Sequence, residues 1–565
     1  MSPDTDENPN GGIVPIVGSV VITLVALLIF GATFRTGIHY GMDQKVTWEG
    51  YGRVQNAVGA IMTEKRYGQG GYAISDLIHW DLSQRGFTAE PDIVKKLGVT
   101  VPENLQATFL DNVLQRMWRD LGSVSEAGRG SIRGLGADDV GYVDFAKLAF
   151  WTFGLHIRSF YYLFFLIMGA SLLLALVERA RDRVGQIIIL GTAAVIYASC
   201  YYTDILLLPE PSGSGNMVNP RFMPVLGLIP TVHILLATVE GVRPRLSKIA
   251  LLLPQAGFVF FAVHMRATAV WLVAALALAV LILSLPRIRE AIKYRAPPGR
   301  LLGRFVIARW PAVMALVIVL GGLKAVSLSL HPTYKEGGWL QHHAMWHSIY
   351  FSLQFHPDFV EKYGAAHYGM KGDAMPIGAA LAYVKGHPEE EKPGIYLVPG
   401  HLKYAEMERL VKLAFFEFFR KDPLFVIQAF VIKSKLLSEI MIREMRLAWG
   451  NAAPWQRFAF ACGVFAIGVL ASLSSAAFRR LWLFSVVFGV GAVASLSIPV
   501  LTVVAPQVIS EEFMAMVVLI LMGVAVLVAM ACRFLMRISL NNPGALAYAG
   551  WRARLSPSSP PNPIS

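Results

Sequence analysis

Ten stretches of this chain are apolar for long enough to cross a bilayer: residues 13–34, 156–177, 184–207, 222–240, 249–264, 267–285, 305–327, 458–477, 481–502 and 513–532. A helical span needs about 20 such residues, because at about 1.5 Å per residue that length covers the hydrocarbon core. The fifth stretch is the shortest. Most connections between the runs are brief, and two are not. The pattern divides the chain into a first span (1–35), a long segment (36–145), spans two to seven (146–327), a second long segment (328–457), spans eight to ten (458–532) and a tail (533–565).

Both long segments read as mostly helical. In the first, Leu105, Phe109, Val113, Leu114 and Trp118 recur at helical spacing and a glycine-rich stretch, 128–136, follows. In the second, Met407, Leu410, Val411, Ala414, Phe415, Phe418 and Phe419 form one face of a helix that Pro423 ends, and a second helix follows to about Trp449. Its longest apolar run, residues 424–432, is too short to span, so both helices are expected at the membrane surface. The fold expected is therefore an all-α polytopic membrane protein of about ten transmembrane helices with two large, mostly helical external segments. The Pro- and Ser-rich tail is expected to be disordered.

Charge sets the orientation. Eighteen Lys and Arg lie in one set of connections, around residues 179–183, 243–248, 287–304, 479–480 and 533–554, against Arg221 and Arg266 in the short connections of the other side. Basic loops stay in the cytoplasm, so both termini are expected inside and both long segments outside. This fits a multi-pass protein of a bacterial inner (plasma) membrane, whose partner is membrane lipid. The net charge of +13 (51 basic, 38 acidic) is mostly this asymmetry. Scattered over loop edges, it does not form a nucleic-acid patch, and no nucleic acid is expected. At 55% hydrophobic and 16% charged residues, with three cysteines in 565, the chain is neither a disordered protein, an ordinary soluble enzyme nor a disulfide scaffold. Asp4, Asp6 and Glu7 precede the first run, so it reads as an uncleaved anchor.

Two places carry candidate chemistry. Asp138 and Asp139 leave the glycine-rich loop and enter a helix just before the second span. Carboxylates near a helix start are favourable for the dipole alone. Adjacent carboxylates also raise each other's pKa or hold a metal, and either suits a general base. The second place is histidine-rich: eight of thirteen histidines lie between His331 and His401, most densely at His342, His343 and His347. His343 and His347 share a helical face. Such a set can hold a divalent metal, contact a phosphate together with Lys335, Lys362 and Arg409, or form an interfacial belt. The residues name no cofactor, and the oligomeric state is not encoded in any pattern here.

The acidic doublet, Tyr142 three residues on, Ala146 after it, a short amphipathic helix closed by Gly154 and then a span resemble the first external loop of GT-C-type membrane glycosyltransferases. The resemblance implies a GT-C-like fold and transfer of a sugar from a polyprenyl-phosphate carrier to an acceptor at the outer face. It implies Asp138 as catalytic base with Asp139 assisting, and a lipid-linked sugar as partner. Tyr142, His342, His343 and His347 would contact substrate. In many members the acidic residue follows the first span closely. Asp43 occupies that place here and is the competing base. Two other classes compete: a transporter or flippase of a lipid-linked or small solute, and a non-catalytic scaffold. Coupled transporters carry ionisable groups at mid-membrane, whereas His233, beside Pro230, is the only one well inside a predicted span.

Overall fold

The computed structural model describes residues 140–154, 158–205, 222–266, 269–293, 307–329, 345–363, 374–394, 396–398, 401–402, 404–451, 454–502 and 510–541. The first expected span, nearly all of the first long segment and the tail beyond Asn541 lie outside these residues; residues 533–541, assigned above to the tail, instead continue the last helix.

The described chain is helical. α1 (Val140–Phe153), α2 (Arg158–Glu178) and α3 (Arg183–Ile205) come first. A 3-10 turn, Met223–Gly227, then feeds α4 (Leu228–Glu240). α5 (Leu246–Met265), α6 (Val270–Lys293) and α7 (Trp310–Ser329) complete the first set. The second long segment contributes α8 (Met345–Phe351), a 3-10 turn (Ser352–Phe355), α9 (Phe359–Tyr363) and α10 (Ala374–Gly386). An antiparallel pair, β1 (Tyr396–Val398) and β2 (His401–Leu402), follows, then α11 (Tyr404–Lys421) and α12 (Pro423–Asn451). α13 (Pro454–Ser472), α14 (Ser475–Thr502) and α15 (Ser510–Asn541) end it.

Six helices among the described residues are long and apolar enough to cross a membrane: Arg158–Glu178, Met223–Glu240, Leu246–Met265, Trp310–Ser329, Ser475–Val493 and Phe513–Ile538. Arg183–Tyr197, Val270–Pro286 and Phe460–Ser472 are shorter apolar stretches. The fifth run, the shortest in the sequence, belongs to the six. Its helix begins before Lys248, because the Lys248 ammonium is taken up by Glu178 and does not end the helix.

α4 is the axis of the bundle. Residues 228–238 are buried all round, as expected of a helix with no polar face. It packs against α2, α3, α5, α6, α7 and α14. Pro230 sits in its first turn, where the missing N–H is one of the donors a helix start leaves unpaired. Gly241, left-handed at φ 66°, ends it by turning its N–H back to the carbonyls of Ala237 and Thr238. Small residues let other helices close in. A Cβ on Gly468 would stand 2.5 Å from Val528 of α15, so α13 and α15 meet backbone against side chain there.

The unit from α8 to α12 has its own core, with Phe359, Leu410, Val411, Phe425 and Ala429 at its centre. Glu408 of α11 closes the start of α8, accepting from the N–H groups of Trp346 and His347, both at 2.9 Å. α8 and α12 pack on α14, and Met445 of α12 joins the bundle core.

Candidate functional site

Two clusters of polar side chains join helices of the bundle among the described residues. The first builds inward from the basic end. Three helices each carry a polar pair seven residues apart: Ser171 and Glu178 on α2, His233 and Glu240 on α4, Lys248 and Gln255 on α5. Seven residues are two turns, about 10 Å, so the pairs form two layers. In the outer layer Glu178 takes the Lys248 ammonium at 2.6 Å and lies 2.5 Å from Arg179 Nε. Arg179 also pairs with Glu240 and, at 3.2 Å, with Asp182. Arg480 of α14 bridges Asp182 at 2.6 Å and Glu240 at 3.1 Å. Arg179, counted among the basic connection residues, is thus buried at 2% exposure and neutralised. Burial disfavours its charge, but Glu240, Glu178 and Asp182 outweigh that and hold its proton more firmly than usual. Burial likewise opposes the Asp182 carboxylate. Arg480, the Gly185 N–H and Arg179 outweigh it and hold the carboxyl below its ordinary range.

The inner layer is uncharged. Ser171 Oγ donates to Gln255 Oε1 at 2.8 Å, and Gln255 Nε2 donates to the Ser171 carbonyl at 2.7 Å. With Oε1 so engaged, Nε2 also faces His233 Nδ1 at 3.1 Å, so Nδ1 must accept. The ring proton then sits on Nε2 and points to Glu178 Oε2 at 3.3 Å. A second proton on His233 would need Gln255 to turn over, setting Oε1 against the Ser171 carbonyl. The chain from Lys248 to Ser171 is therefore a closed lock among α2, α4 and α5. His233 is a satisfied core residue.

The second place is at the opposite end. Residues 248 and 264 are sixteen apart on α5, about 24 Å. α1 begins directly after Asp139 and buries Tyr142, Phe145, Ala146, Ala149 and Phe150 against α2 and α5. Its first turn lies on the α5 terminus so closely that a Cβ on Gly141 would be 2.2 Å from the His264 carbonyl carbon. One turn on, Asp144 Oδ2 meets His264 Nε2 at 2.9 Å. The imidazole lies flat against Phe260, with ring centres 5.6 Å apart and planes at 4°. Lys147 stands 3.9 Å from Asp144 Oδ1. His264 is 8% exposed and Asp144 32%, so the carboxylate reaches solvent while the ring is held. A carboxylate that accepts Nε2–H leaves Nδ1 as the basic nitrogen, and Nδ1 has no hydrogen-bond partner among the described residues. This is the arrangement of an oriented general base.

Asp43, Asp138, Asp139, His342 and His343 lie outside the described residues. Tyr142 is 1% exposed, its ring 6.2 Å from that of Phe160 and 6.4 Å from that of Phe145. His347 is half-buried in α8, held at its backbone by Glu408. Tyr142 belongs to the bundle core and the α8 residues to the second core. Among the described residues no group of three or more His, Cys, Asp or Glu is placed to hold a metal. The Asp144–His264 pair was not among the sequence candidates, although Asp144 stands in the same motif as the acidic doublet. Its partner is 120 residues away, and the one local signal is Gly141, a residue without a side chain one turn before Asp144.

No protein-family model matches this chain, and neither a curated protein nor a solved structure matches it.

Proposed function

We propose that the chain is a polytopic membrane transferase of about ten spans, with both termini cytoplasmic, acting at the outer face of a bacterial inner membrane. In this reading it is GT-C-like and moves a sugar from a polyprenyl-phosphate carrier to an acceptor hydroxyl. The observation that carries it is the Asp144–His264 pair. It stands at the end of the bundle away from the buried Arg179–Arg480 cluster, on the helix that the Asp138–Asp139 doublet enters. In the reaction, the acceptor oxygen attacks the anomeric carbon and its proton passes to His264 Nδ1. The carrier phosphate leaves with the bonding electron pair. Asp144 stabilises the imidazolium that results.

The test is sugar transfer by purified protein in liposomes containing a polyprenyl-phosphate sugar. H264A and D144N should each lower the rate by about 10²–10⁴-fold, the range of a general base, at unchanged protein level. Full activity in H264A with loss in D138N returns the base to the acidic doublet. Full activity in both variants retires the catalytic reading. A second reading, transport, draws on the polar chain from Lys248 to Ser171. The fixed orientation of Gln255 argues against proton passage there, and solute uptake into the same liposomes would restore it.

A further inference from the structure

α12 carries one buried stripe along its length: Phe425, Val426, Ala429, Lys433, Leu437 and Met441 are all 5% exposed or less. Lys433 is the only charged-type residue in it and is fully buried, at the point where the α8–α12 core gives way to the bundle core. Its Nζ donates to Ser352 Oγ at 2.7 Å, and Ser352 Oγ in turn donates to the Ser348 carbonyl at 2.9 Å. The Phe355 ring centre stands 5.4 Å from Nζ. Ser352 thus satisfies one N–H of an amine that would bring three as an ammonium.

No carboxylate answers this amine among the described residues. On α8 and the following turn the ionisable groups are His347, the buried Tyr350 and His356, whose ring stacks on Phe425 at 4.0 Å. Lys362 of α9 lies over the same Phe425 ring. On α12 itself, Lys435 and Glu439 face outward and pair with each other at 4.0 Å, and Glu444 pairs with Arg443. On α14, Arg480 is at the far end with Asp182 and Glu240, beside Arg479. On α11, Glu417 pairs with Lys421, and Glu408 is committed to the α8 cap. Arg533 of α15 lies at the far end beside Ser475, with Arg537 beyond it. The side chains of Glu511 and Glu512, which open α15, are outside the described residues.

We propose that the Lys433–Ser352 contact is a protonation-controlled joint: the α8–α12 unit docks on the bundle with Lys433 neutral, and taking up a proton loosens it. Burial alone pushes the Lys433 ammonium down to about 7, against 10.5 for a solvated lysine. A base whose proton is held less firmly when closed makes the open form bind more protons between those two values. Docking therefore strengthens as pH rises from about 7 toward 10.5, and is weakest and constant below about 7.

Amide exchange of the full-length protein in nanodiscs, corrected for intrinsic rates, reads the opening constant of residues 425–441 and 352–355. That constant should fall up to tenfold per pH unit above about pH 7, the limit for one proton, and stay level below. K433M should be protected and pH-independent. K433R, which cannot shed its proton, should exchange fast at every pH. A pH-independent wild type, K433M with the wild-type slope, or K433R as protected as wild type at pH 9 would each overturn the proposal.

Discussion

Gln255 is the residue on which the inner polar layer turns. Replacing it with leucine removes the donor to His233 Nδ1, the donor to the Ser171 carbonyl and the acceptor of Ser171 Oγ, all at fully buried positions. Two of these losses can be absorbed. Ser171 Oγ can turn to the carbonyl four residues back, and the Ser171 carbonyl keeps its helical N–H. His233 Nδ1 cannot, since its ring is fixed by the Nε2 contact to Glu178. One orphaned buried acceptor costs about 1–3 kcal/mol, so Q255L should destabilise the bundle by about that much. A cycle with S171A should give a coupling of about 0.6–1.7 kcal/mol, the range for hydrogen bonds between membrane helices. Both are measurable by steric trapping in bicelles. Nitrogen chemical shifts of His233 in the wild type should report the neutral form protonated at Nε2. A proton on Nδ1, a coupling of zero, or a Q255L protein as stable as wild type would refute the lock.

Two further outcomes follow from single contacts. G141A puts a methyl group where the His264 backbone already stands. α1 must shift off α5, at about 1–3 kcal/mol for overpacking, and the Asp144–His264 distance should lengthen, which a crosslink between cysteines at those two positions would read. R480A removes one of the two arginines, Arg480 and Arg179, that pair with Asp182 among the described residues. Because the folded carboxyl is held below its unfolded value of 3.8, its contribution is present at neutral pH and lost as pH falls through the folded value. The gap in thermal stability between R480A and wild type should therefore be clear at pH 7 and close on acidification; a gap constant with pH would count against the assignment.

The helices themselves were legible in the residues. A bilayer admits no unpaired backbone, so a long apolar run is a helix whatever surrounds it. The expected runs at 156–177, 222–240, 249–264 and 305–327 lie on helices that meet the length and hydropathy of a span. Pro423 marked the α11–α12 junction because it has no N–H to continue a helix. His233 stood out as an ionisable group within an apolar run. Asp144 and His264 did not, because a carboxylate near a helix start and a histidine at a helix end each have an ordinary local explanation.

Lys433 and Lys435 make the division sharpest. They are the same residue type, two positions apart on one helix. Yet Lys433 is wholly buried and Lys435 has 80% of its side chain in the open. Two positions turn a helix by about 200°, so composition and periodicity place them on opposite faces without saying which face is covered. The same holds for the three seven-residue pairs on α2, α4 and α5. Each spacing is written in its own segment, while the partnership of Gln255 with His233 exists only after three helices have packed. Local pattern decides what each stretch becomes because backbone and side-chain preferences act over a few residues. Which amine loses its water, and which imidazole finds a carboxylate, depends on surfaces brought together from 81 and 120 residues away.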